Sequence, residues 1–263
     1  MTTTHDSTHA GTVDSGVTPS AIVRADDWLI ERRALMAREK QLMRMQDELA
    51  RDRRALPWVR MDKDYVFDTL TGKRTLADLF EGRRQLMVQH FMLGPGWEQG
   101  CPSCSYMADH TDGMRPHLAA RGISFVAVSR APLDEIERFR ARMGWQFNWV
   151  SSSANDFNHD FHVSFTEEER AKGEVWYNFG PVPPRGEEAP GISVFYKDDA
   201  GDVFHTYSTF GRGVEVMMGT YSLVDLTPVG RNERDVPNKM EWVRHHDRYE
   251  AAPAARACCS AAA

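Results

Sequence analysis

Cys101 and Cys104, with Pro102 and Ser103 between them, have the residue types and spacing for reversible thiol chemistry. The residues after Cys101 suit the first turn of a helix. A thiol there faces unpaired backbone N–H groups and the positive end of the helix dipole. Both favour the anion, so Cys101 is expected to titrate below the free-cysteine value of about 8.5. The spacing puts Cys104 one helical turn further in, within disulfide reach. Cys101 is read as the exposed attacking thiol and Cys104 as the more buried resolving thiol. Two plainer readings stand beside this one. The pair could be two small buried thiols of a core, or half of a zinc knuckle completed from His90, His110 and His117. No second Cys-x-x-Cys occurs, so neither a metal nor any other cofactor is expected.

The elements that must position the pair follow from hydrophobic pattern. Residues 85 to 93 are a short apolar run stopped by Gly94-Pro95-Gly96, which suits a buried strand. Tyr106, Met107, Met114 and Leu118 can share one face of a helix beginning near Pro102. Gly122 suits its end, and residues 123 to 129 are a second apolar, β-branched run. Residues 132 to 143 follow as a helix with acids early and arginines late, and residues 147 to 150 read as a short strand. This alternation predicts parallel strands joined by helical crossovers. Further on, residues 192 to 196 and 203 to 207 read as a hairpin with Pro190 just ahead of it, and 214 to 223 as a last helix.

The flanks are less regular. Residues 1 to 20 are too polar to pack and are expected to be disordered. In the segment 21–56, Trp28, Leu35, Leu42 and Leu49 recur every seven residues beside Leu29, Met36 and Met43. The pattern predicts an amphipathic helix over 27–54, docked on the body of its own chain in the preferred reading, or paired with a second copy as a homodimer. Residues 64 to 68 look like a strand leading to a tight turn at Thr71-Gly72-Lys73, with a short helical segment over 75–80. A main domain over 57–250 contains a loop-rich insertion, 151–189, with one short helix near 165 to 172. Its Asp156, His159, Asp160 and His162 suggest metal ligands or acid-base groups, although loop residues bonding their own backbone are the commoner case. Residues 225 to 250 read as closing coil, and 251–263 as a disordered alanine-rich tail whose Cys258 and Cys259 are incidental.

Composition bounds the partners. A net charge of −6, from 38 acidic and 32 basic residues, gives no electrostatic reason to bind nucleic acid. No run is long and apolar enough for a bilayer span, and the first residues hold no apolar signal core. A cytoplasmic, reducing setting is therefore expected, in which a Cys-x-x-Cys is suited to redox work rather than to a structural staple.

Taken together, the order of strand, Cys-x-x-Cys helix, strand, helix, proline, hairpin and helix resembles the thioredoxin-like fold. Cys101-Pro102-Ser103-Cys104 looks like its redox motif, and Ala189-Pro190-Gly191-Ile192-Ser193-Val194-Phe195 looks like its cis-proline strand. The stretch from Tyr65 through Leu93 is similar to the opening of the peroxiredoxin and membrane-anchored thiol-reductase branches. Gly100 to Ser105, the insertion from Asn155 to Phe165, and residues 204 to 209 resemble a bacterial family of unknown function labelled as thioredoxin-like dithiol-disulfide oxidoreductases. The resemblance implies an α/β fold, a mixed sheet flanked by helices, with a long N-terminal helix and an insertion added. It implies an oxidoreductase with Cys101 and Cys104 catalytic, acting on a protein or small-molecule disulfide. Pro190 and Ala189 would present backbone to that substrate, and Trp97 and Tyr106, with Trp176 and Tyr177, would border it unless they are core. A redox sensor without turnover and a peroxidase are the alternatives. Two departures stand out: Gly100 replaces the tryptophan usual before the first cysteine, and Glu98 replaces the threonine of peroxidases, where a carboxylate would repel a thiolate. His205 is read as a proton carrier for Cys104 or as a hydrogen-bonded strand residue.

Overall fold

The computed structural model describes residues 20–233, 236 and 239–250. The two tails, apart from Ser20, lie outside the described residues, and Cys258 and Cys259 with them.

A helix α1, Ala25–Ala55, opens the described chain, with Asp26 and Asp27 in its first turn and Arg53 and Arg54 in its last. None of its residues is buried; Trp28 is 58% and Leu42 56% exposed. The docked reading is thereby corrected. The stripe supplies only two adjacent apolar positions per seven residues, narrower than the face that holds a helix on a globular body. In its last turn the Arg53 guanidinium lies 5.6 Å from the ring centre of Tyr207.

The sheet and its helices follow in the order β1 (Val59–Arg60), β2 (Val66–Thr69), β3 (Gly72–Thr75), a 3-10 turn (Asp78–Phe80), β4 (Gln85–His90), α2 (Pro102–Ala120), β5 (Ile123–Ser129), α3 (Leu133–Met143) and β6 (Asn148–Ser151). Next come α4 (Phe157–Asp160), α5 (Glu167–Ala171), β7 (Val175–Tyr177), β8 (Gly180–Val182), β9 (Gly191–Lys197), β10 (Val203–Phe210), a 3-10 turn (Gly211–Met217) and α6 (Gly219–Val224). Eight strands form one sheet in the order β1-β10-β9-β4-β5-β6-β2-β3. Strand β4 runs parallel to β5, and β5 to β6, while β9 is antiparallel to β4 and β10 to β9. Strand β4 is therefore central, paired on both sides along its whole length, which suits its nearly unbroken apolar sequence.

Alternation along β4 sorts two cores. Leu86 and Val88 face Phe67, Phe80, Phe157 and Phe195. Phe91 belongs to the other face with Cys104, Met107, Ile136, Phe139, Trp145 and Trp149. Each fully buried side chain of this size contributes roughly 1.5–3 kcal/mol, so the end of β4 is held from both sides. Helix α2 runs through Pro116, whose ring cannot donate to Asp112; the Arg115 Nε–H takes up that carbonyl at 3.2 Å.

The insertion has more structure than its composition suggested. Thr166 and Glu169 form a capping box for α5, and β7 and β8 make an unanticipated hairpin. Lys63 Nζ bonds Asp156 at 2.9 Å and Asp160 at 2.7 Å, and the Tyr65 hydroxyl donates to Asp160 at 2.8 Å. These two carboxylates fasten the insertion rather than gather a metal. The last helix of the sequence reading is broken at Met218 into a 3-10 turn and α6, in a stretch weakened by Gly211, Gly213 and Gly219. Among the described residues no helix is long and apolar enough to cross a membrane.

Candidate functional site

Cys101 is the N-cap of α2, with extended backbone (φ −58°, ψ 131°), and Pro102 takes the first helical position. Proline has no N–H, so the amides that reach the Cys101 sulfur are those of Ser103 and Cys104. The loop before it is closed on itself and on the last segment of the chain. The Cys101 N–H donates to Met92 O at 3.0 Å, and buried His245 donates from Nε2 to Gly100 O at 2.8 Å. On the far side of the pair, Gln89 donates from Nε2 to Cys104 O at 3.0 Å. The first turn of α2 is thus pinned to β4 and to the C-terminal segment.

Neither cysteine is in a disulfide, and the two sulfurs are hydrogen-bonded to each other. Donation from Cys104 is the largest influence on Cys101. Burial opposes it, and the Cys104 and Ser103 amides and the Ser103 hydroxyl reinforce it, with the thiol brought down to about 7. Cys104 is pushed well above the usual range by the same bond, by burial and by the charge of Glu188. One proton is shared unequally, as in other coupled pairs. The sign is testable. Because the Cys101 pKa is depressed, alkylation by iodoacetamide rises with pH through a midpoint near 7 and levels off above it. An unperturbed thiol has its midpoint at about 8.5. Mass spectrometry of the modified peptide reads the midpoint directly.

Cys104 is fully buried, as read, but Cys101 is half-buried rather than exposed. Both line a cavity of about 980 Å³ with Met92, Met107 and Pro190. Most of the remaining wall comes from residues between 211 and 233, including Val214, Glu215, Met218, Tyr221, Asp225 and Arg231, with Lys239 and Met240. The sequence pattern of that segment predicts a helix followed by coil. Its charged residues match no motif, and only the Pro228-Val229-Gly230 turn could have hinted at a fold-back.

The structure separates the remaining candidate residues. Pro190 lies on the cavity wall, its carbonyl accepting from the Tyr177 hydroxyl at 2.7 Å. No peptide among the described residues is cis, so the bond before Pro190 is trans, contrary to what the resemblance implied. The lead-in is held as extended chain, with Ala189 N–H donating to Val163 O at 2.8 Å. Ala189 is half-buried beside it, outside the cavity lining. Trp97 donates from Nε1 to Glu187 at 2.7 Å and packs on the core behind the loop. Tyr106 is buried against Tyr221 and Trp242, and Trp176 is 53% exposed on β7. The four aromatics therefore do not form one docking surface.

Glu98 is exposed, and the leading influences on Cys101 come from Cys104 and Ser103 instead. His90 and His205 belong to a buried chain through Ser193 and Ser208, with contacts of 2.8, 2.8 and 2.7 Å. Since Gln89 points to Cys104, its neighbour His90 points through the opposite face of the sheet. His205 is thus the hydrogen-bonded strand residue of the plainer reading. His110 is engaged by Tyr106 O and Thr220, and His117 is exposed further along α2. Among the described residues no group of three or more His, Cys, Asp or Glu is placed to hold a metal.

Sequence reasoning also missed Glu188. It is buried, bonded to Ser164 and Arg130 at 2.6 Å each, and burial pushes its carboxyl up. Two consecutive glutamates in a loop carry no signal of such a role.

The strand order β10-β9-β4-β5, with a dithiol at the start of the helix that follows β4, is that of a thioredoxin-like fold. Within that class the chain belongs to the family described as "Bacterial protein of unknown function (DUF899)", whose model matches residues 17–249. No curated protein matches the chain. Among solved structures it is similar to peroxidoxin BcpB from Mycobacterium tuberculosis, at 14% identity and a TM-score of 0.40, over 64% of this chain and 97% of that one. It is also similar to a proposed thiol:disulfide interchange protein DsbE from Chlorobium tepidum, at 14% identity and a TM-score of 0.38, over 63% of this chain and 97% of that one.

Proposed function

We propose that the protein is a thiol-disulfide oxidoreductase that exchanges the Cys101–Cys104 dithiol with a substrate disulfide. The observation that carries this reading is the hydrogen-bonded pair itself, with an acidified thiol at the mouth of a helix and its partner one turn behind it. Cys101 thiolate attacks one sulfur of the substrate, forming a Cys101–substrate disulfide and releasing the first substrate thiolate. That change removes the anion to which Cys104 was bonded, and with it the largest influence holding the Cys104 proton in place. The released thiolate takes that proton, Cys104 attacks the Cys101 sulfur, and the second substrate thiolate leaves. Two electrons pass from the dithiol to the substrate, and the reverse sequence oxidises a substrate dithiol. Pro190, on the wall beside both sulfurs, supports the reading as a surface for the arriving substrate.

Equilibration in dithiothreitol buffers of graded redox poise, followed by maleimide labelling and mass spectrometry, tests this. The expected result is one two-electron transition in which Cys101 and Cys104 lose or gain two labels together, with sustained turnover when reductant is supplied. Labels lost singly, or not at all, would refute the exchange reading. A clean transition without turnover would make the protein a redox sensor.

A further inference from the structure

If the exchange reading holds, the cavity above the dithiol carries information about its substrate. We infer that the substrate is a low-molecular-weight disulfide whose arms next to the sulfurs are uncharged, rather than a disulfide on the surface of a folded protein.

Three observations lead there. The first is access. Cys104 has no exposed surface and Cys101 is half-buried, and both lie on the lining of a cavity of about 980 Å³. That volume is at the upper end of small-molecule pockets, which run from roughly 300 to 1,000 Å³. A disulfide on a folded protein brings two stretches of backbone with it and needs its attacker to stand clear of the surface.

The second is how the covering segment is fastened. Arg231 bonds Glu215 at 3.0 Å and Asp225 at 2.8 Å, and its guanidinium lies 4.0 Å from the ring centre of Tyr221. The Tyr221 hydroxyl and the Trp242 indole N–H both donate to Glu233 Oε1 at 2.8 Å. These bonds tie residues of the segment to one another and hold its shape, while it is joined to the body by Thr220 N–H donating to His110 Nε2 at 2.9 Å, by Gly211 N–H donating to the Tyr177 hydroxyl at 3.0 Å, and by the Tyr221 ring 5.6 Å from that of Tyr106.

The third is the chemistry of the lining. Around the sulfurs it is apolar, from Met92, Met107, Val214 and Met218. Thioether side chains mould to varied apolar shapes, whereas a charged arm placed among them would be desolvated without a partner. The charges stand on the covering segment, three acidic (Glu215, Asp225, Glu233) and three basic (Arg212, Arg231, Lys239). Among the described residues of the lining they are equal in number, so the lining offers no excess of positive charge to recruit an anionic disulfide.

The test is a single-turnover comparison with the pre-reduced full-length chain, which needs no added reductant. Each mole of dithiol reduces one mole of disulfide to two thiols and becomes the Cys101–Cys104 disulfide. Second-order rate constants are measured with 2-hydroxyethyl disulfide, with glutathione disulfide and with insulin, each divided by the rate constant of dithiothreitol on the same disulfide. The normalised value for 2-hydroxyethyl disulfide is expected to exceed that for insulin by at least about 100-fold, and that for glutathione disulfide by about 10-fold. Val229→Trp, which narrows the cavity, is expected to slow 2-hydroxyethyl disulfide about tenfold while the Cys101–Cys104 potential stays unchanged. Insulin reacting as fast as the small disulfide, or glutathione disulfide as fast as the neutral one, overturns the substrate assignment and leaves exchange intact. No internal disulfide with any of the three overturns exchange itself. If the Val229 variant does not fold, the comparison of disulfides on the unaltered chain decides.

Discussion

Cys104→Ser is expected to convert the protein into a trap: it reacts with a disulfide once, through Cys101, and stays linked to half of it. Cys101 keeps its place and its Ser103 and residue-104 amides, and the serine hydroxyl can donate to its sulfur as the Cys104 thiol does, so the first exchange proceeds. Resolution needs a second sulfur at the position Cys104 holds at the base of the first turn of α2, and a serine hydroxyl cannot displace a thiolate. The mixed disulfide is expected to accumulate to nearly one per chain and to be visible as the added mass of one substrate arm. Cys101→Ser is expected to lower the exchange rate by a thousandfold or more, to roughly background, because the remaining thiol has no exposed surface from which to attack and its burial disfavours the anion. Cys104→Ala separates the two roles of the pair. It removes the donor that contributes most to acidifying Cys101, so the alkylation midpoint should climb from near 7 towards the free-thiol value of about 8.5. A midpoint that stays where it was would mean that the Ser103 and Cys104 amides alone hold the anion.

The second large effect is structural, and it accounts for the missing tryptophan before the first cysteine. A Cβ added at Gly100 would lie 2.5 Å from Phe91 Cε1 and 2.8 Å from Phe139 Cε1. Both rings are buried, in a cluster with Trp145 and Trp149, and neither has room to retreat. Gly100→Ala is expected to cost about 1–3 kcal/mol by overpacking, read as a lowered midpoint in thermal or urea unfolding. Tryptophan at this position should not fold. A Phe91→Leu background supplies the control. If the clash is the cause, the Gly100→Ala penalty shrinks there by more than about 0.5 kcal/mol in a double-mutant cycle. Equal penalties in the two backgrounds would point instead to the loop conformation.

These two expectations also mark where reading the chain succeeded and stopped. The Cys-Pro-Ser-Cys turn, the strands on either side of it and α3 were legible because each is a local pattern: an apolar run, a proline at a helix start, a glycine such as Gly144 with φ +70° at a helix end. The closing hairpin was legible for the same reason. Asp156 and Asp160 were visible as a cluster but not as partners of Lys63, since that pairing spans more than ninety residues. The trans bond before Pro190, the free-standing α1 and the dispersal of Trp97, Tyr106 and Trp176 each depended on what the rest of the chain does around them.

What the sequence by itself determined is the chemistry at one point: two thiols spaced by a helical turn, at the start of a helix leaving a central strand. Helix geometry and the backbone amides of the first turn act over a few residues, so they can be read from a few residues. Tertiary structure alone decided how far that chemistry is open to solvent and what stands over it. The segment that begins at Gly211 shares the cavity of the sulfurs from more than a hundred residues away. It is held there by contacts of Thr220 with His110, Gly211 with Tyr177 and Tyr221 with Tyr106, residues that share no motif. Packing of that kind depends on which surfaces meet, and a linear pattern of side chains does not encode the meeting.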